Sequence, residues 1–254
     1  MLSLSASLRT TLASPLRVSA RTALRPVPLP LRLLPTTLRT FSMSATYAAP
    51  ATSSADSTSF LDAVQARRTV YALSKSSPIS NDRIVELVNF AVKHCPSSFN
   101  SQSTRALVVL GDHHDKVWQI AKDKIKAIVP AENWPASEQR LNGFQNAYGT
   151  VLMFEDQAVV KGLQDNIPLY AEHFPTWAEH AHGLTVFTIW TALSAEGLGA
   201  SLQHYNPLID ADVAKEFSLP ESWKLRAQLV FGKPEAPAGD KEFKPLVDRV
   251  KVFQ

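Results

Sequence analysis

From residue 59 onward, apolar and polar positions divide the chain into short elements. Between Asn81 and Lys93, the residues Ile84, Leu87, Val88 and Ala91 recur at the spacing that lines one face of a helix. Ahead of this segment, Ser59 and Asp62 form a capping-box-like pair, and Phe60, Ala63 and Val64 follow helical spacing. Ala106–Leu110 is an apolar run closed by Gly111-Asp112, so it reads as a buried strand. Asp112 is then placed to cap a helix that continues to about Ile128. The pattern predicts a further helix between Ala136 and Ala147 and a second strand over Thr150–Phe154. From about Pro175 to Ala195 the chain is apolar on nearly every side, with Trp177, Val186, Phe187, Ile189, Trp190 and Leu193. That is the mark of a central buried helix, with Gly197 and Gly199 as its stop. Ala200–Gln203 and Arg226–Phe231 are further strands, and beyond Gly232 the chain turns Pro-rich and charged, as an arm would. Helices and strands interleave without a regular βαβ rhythm, so the predicted fold class is α+β.

Composition changes this picture mainly at the N-terminus. The chain has 254 residues, 45% of them hydrophobic, enough for a sizeable core. No apolar run reaches the roughly 18 residues of a membrane-spanning helix, so no membrane span is expected. One cysteine, Cys95, allows no intrachain disulfide. The net charge of +3 is segregated: residues 1–55 contain no Asp, Glu or Lys but six arginines. Without those six, the 26 basic residues fall to 20 against 23 acidic ones, so the body of the protein is slightly acidic. A nucleic-acid-binding surface is therefore not implied.

The acid-free, Arg- and Ser-rich start, residues 1–42, reads as a mitochondrial transit peptide. Arg17, Arg21 and Arg25 share one helical face, and Pro26, Pro28 and Pro30 end it. Residues 43–58 are small and polar and read as a linker, leaving 59–254 as the folded domain. Initiation at Met43 would omit most of the leader and leave a cytoplasmic product.

Three separated segments carry candidate chemistry. Arg67-Arg68-Thr69 offers two guanidiniums and a hydroxyl to a phosphate, although basic residues at a helix C-terminus also answer the helix dipole. Cys95-Pro96-Ser97-Ser98-Phe99-Asn100-Ser101-Gln102 offers hydroxyls and amides to a polar ring edge, or makes an ordinary turn. Gly197-Leu198-Gly199 leads into a strand that ends in Gln203-His204-Tyr205-Asn206-Pro207, a polar cluster of the kind that forms ligand sites. His173, His180 and His182 lack metal-ligand spacing, so no metal is expected. Cys95 reads as a small hydrophobe, Trp177 and Trp190 as core, and His113-His114 as solvated.

In this order, the Arg-Arg-Thr start, the Pro-Ser-Ser-x-Asn-x-Gln loop and the Gly-Leu-Gly element resemble the FMN-dependent nitroreductase family. Arg67–Leu73, Gly149–Asp156, Leu202–Pro207 and Phe243–Val250 are similar to a fungal and bacterial branch that includes the yeast fatty-acid-repression protein. The resemblance covers about residues 57–254. It implies a central, mostly antiparallel sheet flanked by helices, an extended C-terminal arm, and a homodimer that exchanges arms and binds FMN at its interface. Carried over by position, Arg67, Arg68 and Thr69 would hold the FMN phosphate and ribityl chain. Ser97, Ser98 and Asn100 would line the pyrimidine side, and Gln203, His204 and Tyr205 the N5 edge. Arg249 is a further phosphate candidate and Lys241 a weaker one. The chain departs from many relatives at Tyr71, where they carry a basic residue, and at His204-Tyr205, where they carry an acidic residue and Gly. The implied activity is ping-pong hydride transfer from NAD(P)H to nitroaromatic or quinone-like acceptors, with no obligatory catalytic side chain. The alternative is a flavin-binding regulator of lipid or oxidative-stress responses with little turnover.

Fused to a fluorescent protein, residues 1–42 should direct it to mitochondria, and replacing Arg17, Arg21 and Arg25 by Glu should leave it cytosolic. A native leader that leaves the fusion cytosolic refutes the transit reading.

Overall fold

The computed structural model describes residues 59–254; the transit segment and the linker read from the sequence lie outside the described residues. In chain order the elements are α1 (Phe60–Ala66), β1 (Leu73–Ser74), α2 (Asn81–His94), β2 (Thr104–Leu110), α3 (Gly111–Ile128) and α4 (Trp134–Gln145). They continue with β3 (Gly149–Asp156), α5 (Gln157–Asn166), α6 (Phe174–Ala195), β4 (Gly199–Gln203), α7 (Asp210–Glu216) and β5 (Trp223–Pro234).

All eight residues of β3 are buried. A strand covered on both faces reads as a continuous apolar run rather than an alternation, and Thr150–Phe154 does so. β3 lies between β2 and β5, and β5 also pairs with β4 and β1, every pairing antiparallel. Leu152, Phe154, Leu225 and Val230 pack against Val117, Trp118 and Ala121 of α3 and Leu141 and Phe144 of α4. On the opposite face, Val151, Met153, Ala227, Leu229 and Phe231 meet Ile84, Leu87, Val88 and Ala91 of α2 and Val186, Ile189 and Leu193 of α6. The result is the expected α+β architecture, a sheet between two helical layers. The register slips at Met153/Phe154, which face Ala227 and Leu225, leaving Arg226 as the extra residue of a bulge.

Local signals explain several boundaries. The Ser59 hydroxyl accepts from the Asp62 N–H at the start of α1, and the Ser80 hydroxyl from the Arg83 N–H at the start of α2. α6 ends where Gly197 adopts a φ of +82°, open to glycine, and the Leu198 N–H returns to the Leu193 carbonyl at 3.0 Å. Gly199 does not stop the helix; it opens β4, where an added Cβ would sit 2.9 Å from Leu73.

The structure corrects three other readings. Asp112 does not cap α3: the cap position is Leu110, without a side-chain bond, and Asp112 sits in the first turn. α5, α7 and β1 were not visible in the pattern, because α5 and α7 each bury one residue, Val160 and Val213, and β1 has two residues. His114 is not solvated but 1% exposed, while His113 is exposed. Trp118 Nε1–H donates to Thr150 Oγ1 at 3.0 Å, and Thr150 Oγ1 lies 2.9 Å from His114 Nδ1. His114 Nε2 in turn lies 3.1 Å from the Phe144 carbonyl. The neutral Nε2–H tautomer satisfies this chain: the hydroxyl donates to Nδ1, and Nε2–H donates to the carbonyl.

Burial pushes the His114 imidazole down from 6.5 to about 4. A depressed folded-state pKa contributes stability that is present above the unfolded value and lost as pH falls through the folded one. A shift of this size corresponds to roughly 3 kcal/mol. Urea unfolding at pH 7 and pH 4.5 should therefore show a marked loss of stability at the lower pH, and His114→Gln should remove part of that dependence. An unaltered pH dependence in the folded variant would rule out His114 as its source.

Candidate active site

The Arg67-Arg68-Thr69 cluster begins where α1 ends, with Arg67 as its C-cap and the Arg67 N–H bonded to the Ala63 carbonyl. Thr69 forms a parallel bridge with Ala200 and the Val70 N–H donates to the Ala200 carbonyl at 3.0 Å, so the start of β4 fixes the segment. The Arg67 guanidinium lies 4.5 Å from the Trp190 ring centre and 5.9 Å from that of Phe187, both on α6. Its Nε is buried and has no hydrogen-bond partner among the described residues. Burial, with Arg68 alongside, pushes its pKa down. Stacking orients the planar donor fork while leaving donors to spare. Arg68 donates through Nη2 to the Gly239 carbonyl, which draws the C-terminal segment over the cluster. A cavity of about 360 Å³ results, lined by Arg67, Arg68, Thr69, Tyr71, Gly239, Asp240 and Lys241. Arg67, Arg68 and Lys241 outnumber the one acid, Asp240, so the cavity carries a net positive charge that favours an anionic ligand.

Tyr71 also lines a second cavity, of about 820 Å³, together with Ala72, Gln203 and the α4 residues Ala136, Gln139, Arg140, Gly143 and Phe144. The two cavities therefore share a wall. The larger is roomy enough for a fused ring system, and its lining holds one cation, Arg140, and no acid. Arg140 has no ion-pair partner among the described residues.

Gln203 lines this cavity, but its two neighbours part company. His204 is exposed. Tyr205 turns into the core against Trp118 and Phe144, with ring centres 5.6 and 6.2 Å away. Its backbone N–H donates to Gln228 Oε1 at 2.7 Å and is thereby committed within the protein.

The Ser97–Gln102 loop is held in an unusual backbone. Phe99, Asn100 and Gln102 have φ of 54°, 53° and 50°, the left-handed region that non-glycine residues seldom adopt. The Ser97 hydroxyl accepts from the Gln102 N–H at 2.9 Å, and Arg105 donates to the Gln102 carbonyl at 2.6 Å. Strain of this kind concentrates at functional sites. Ser97 and Ser98 line a separate pocket of about 160 Å³ with Trp177, His180, Ala181 and Leu184 of α6. Along α6, Ala181 and Trp190 are about 13 Å apart. One chain therefore places the Ser97-Ser98-Asn100 loop and the Arg67–Thr69 cluster at different stations on the same helix.

Of the two tail candidates, Lys241 lines the cationic cavity, whereas Arg249 follows the exposed turn Leu246–Asp248. Trp177 and Trp190 are only partly buried, and Trp190 serves as the platform for Arg67. Cys95 is half-buried and its thiol donates to Thr188 Oγ1 at 3.1 Å. Gln139 and Arg140 escape a sequence reading because charged and amide residues on a surface helix are usually solvated. Among the described residues no three His, Cys, Asp or Glu side chains gather to hold a metal, and no helix is long and apolar enough to cross a membrane.

Residues 64–233 match the model of the nitroreductase family. The chain is 39% identical over 197 residues to the Saccharomyces cerevisiae nitroreductase-like protein HBN1, covering 76% of this chain and 96% of that one. It is 35% identical over 186 residues to the S. cerevisiae nitroreductase FRM2, covering 72% and 92% respectively. Structures of the nitroreductase CinD from Lactococcus lactis, in complex with chloramphenicol or 4-nitrophenol, superpose with a TM-score of 0.71 at 48% and 49% identity. Each covers 77% of this chain and 100% of CinD.

Proposed function

Because the chain belongs to the nitroreductase family, we propose that it is an FMN-dependent reductase passing hydride from NAD(P)H to nitroaromatic or quinone-like acceptors. The observation that carries this reading is the pair of cavities sharing Tyr71, one cationic, the other roomy enough for a fused ring. FMN has that shape and charge, and members of this family bind it. The relatives' ligands, 4-nitrophenol and chloramphenicol, point to nitroaromatic acceptors.

Arg67, Arg68, Thr69 and Lys241 would hold the phosphate, with Arg67 pre-oriented by Trp190. Gln203 and Gln139 would offer amides to the ring edge, and Arg140 would place a positive charge there that favours an electron-rich ligand. With the Tyr205 N–H committed to Gln228 and His204 outside the lining of this cavity, the N5-side donor would come from Gln203. FMN, once bound, supplies the two-electron relay that lets NAD(P)H and acceptor use one site in turn, the ping-pong pattern. The protein's contribution is to position planar molecules and exclude others, not to supply an acid or base.

The purified protein should carry a flavin absorbance that fits FMN, bleach with NAD(P)H and recover with 4-nitrophenol, oxidising NAD(P)H over many turnovers. A colourless protein that does not take up FMN refutes the proposal. Tight FMN binding without turnover supports the regulator instead.

A homodimer completes the site. Ser97, Ser98 and Asn100 of one copy would meet the Arg67 cavity of the other, whereas within one chain Ser97 and Ser98 line a different pocket. The tail offers a means of association: Phe243, Leu246, Val247, Val250, Val252 and Phe253 are all more than half exposed. Strand β2 ends one side of the sheet beside an apolar groove of about 630 Å³ lined by Val85, Val88, Val92 and Ala106–Val108. A tail from a second copy would cover that edge. Light scattering should give twice the chain mass, and deleting residues 240–254 should lower both dimer stability and FMN retention. A truncated protein that keeps both makes the arm a solvated tail.

A further inference from the structure

Glu155, on β3, is fully buried, yet it belongs to no cavity described above. Its Oε2 accepts from Ser103 Oγ and its Oε1 from Thr104 Oγ1, each at 2.5 Å. Thr104 is also its register partner on β2. Ser103 and Thr104 immediately follow the left-handed Ser97–Gln102 loop, and Ser103 is fully buried, its carbonyl accepting from the Asp156 N–H at 3.0 Å. Next along the chain, Arg105 joins the Gln102 carbonyl to Asp156 Oδ2. One buried carboxylate thus pins the C-terminal end of a strained loop. His182 of α6 approaches it, with Nδ1 4.0 Å from Glu155 Oε1, buried and without a hydrogen-bond partner.

We infer that Glu155 is a positioning residue: its carboxylate, through Ser103 and Thr104, holds the Ser97–Gln102 loop in the conformation that receives the flavin. The inference rests on the reading that this loop contacts flavin. A carboxylate accepts from both hydroxyls in charge-assisted bonds; a protonated carboxyl or an amide accepts from one and donates to the other, whose hydroxyl turns to accept, and both bonds become neutral and weaker. The strength of the loop's hold therefore depends on the charge of Glu155.

Glu179 and His182 on α6 and Arg226 on β5 face it, and His204, after β4, acts on His182. Burial raises the Glu155 pKa and Glu179 raises it further, while the Ser103 and Thr104 hydroxyls and Arg226 lower it. Burial, then Arg226 and His204, lower His182 to about 4. As pH falls through the raised Glu155 range, the two bonds lose their charge assistance, the loop's hold weakens and FMN affinity declines.

The test compares wild type with Glu155→Gln, which keeps the size of the side chain and loses its charge, and with Thr104→Val, which removes one donor and keeps the shape. FMN titration by fluorescence between pH 5 and 8, and hydrogen exchange of the Ser97–Arg105 peptide without FMN, are measured on the folded proteins. Glu155→Gln should exchange the loop faster, bind FMN about tenfold more weakly at pH 7.5, the size of one lost charge-assisted bond, and show a flat pH profile. Thr104→Val should shift both readouts in the same direction by less. Unchanged loop exchange in a folded Glu155→Gln variant overturns the inference, as does a pH profile identical to that of the wild type. Faster exchange with FMN affinity intact upholds the anchor and removes the loop from the flavin site, while a wild type that takes up no FMN refutes the functional reading itself.

Discussion

The structure depends on the burial of both faces of β3. A strand covered on both sides needs a helical layer on each, and the chain provides them: α3 and α4 against Leu152 and Phe154, α2 and α6 against Val151 and Met153. The few polar groups on this strand are consequently bonded within the protein. Thr150 serves Trp118 and His114, and Glu155 serves Ser103 and Thr104. A buried polar group left without a partner would cost several kcal/mol, so these contacts fix the helices and the loop as firmly as apolar packing does.

The candidate site follows from that scaffold. α6, covering one face of the sheet, carries Phe187 and Trp190 as a platform for Arg67. Further along the same helix, Trp177 to Leu184 form the wall beside Ser97 and Ser98. α4, on the opposite layer, brings Arg140 and Gln139 to face Tyr71 and Gln203. The cationic cavity and the larger cavity thus adjoin at Tyr71, which lines both. In the functional reading this arrangement binds a long, flat, anionic cofactor across the layers and leaves its ring end open to a second planar molecule.

Much of the fold was legible because the helices and strands with several buried positions leave a period in the sequence. Ile84, Leu87, Val88 and Ala91 do so, and α5 and α7, with one buried residue each, do not. The segments that line the cavities were legible where the chemistry is local in sequence, as in Arg67-Arg68-Thr69. Arg140 and Glu155 were not, since their surroundings arise from distant segments: Glu155 is bonded to Thr104, 51 positions away, and pairs with Lys224 on its other side. His114 was misread for the same reason, its partners Thr150 and Phe144 lying 36 and 30 residues away. Trp190 was recognised as apolar, but its role beneath a guanidinium depends on where α1 ends.

The central claim is that the Arg67 cavity receives a phosphate while the neighbouring cavity receives the ring. Comparing the affinities of FMN and riboflavin, which share the ring and differ in the phosphate, tests it most directly. The account predicts that wild-type protein binds FMN at least about tenfold more tightly, as one or more charge-assisted bonds require. It also predicts that Arg67→Ala narrows that difference while leaving riboflavin binding nearly unchanged. Equal affinities of the wild type for FMN and riboflavin would contradict it.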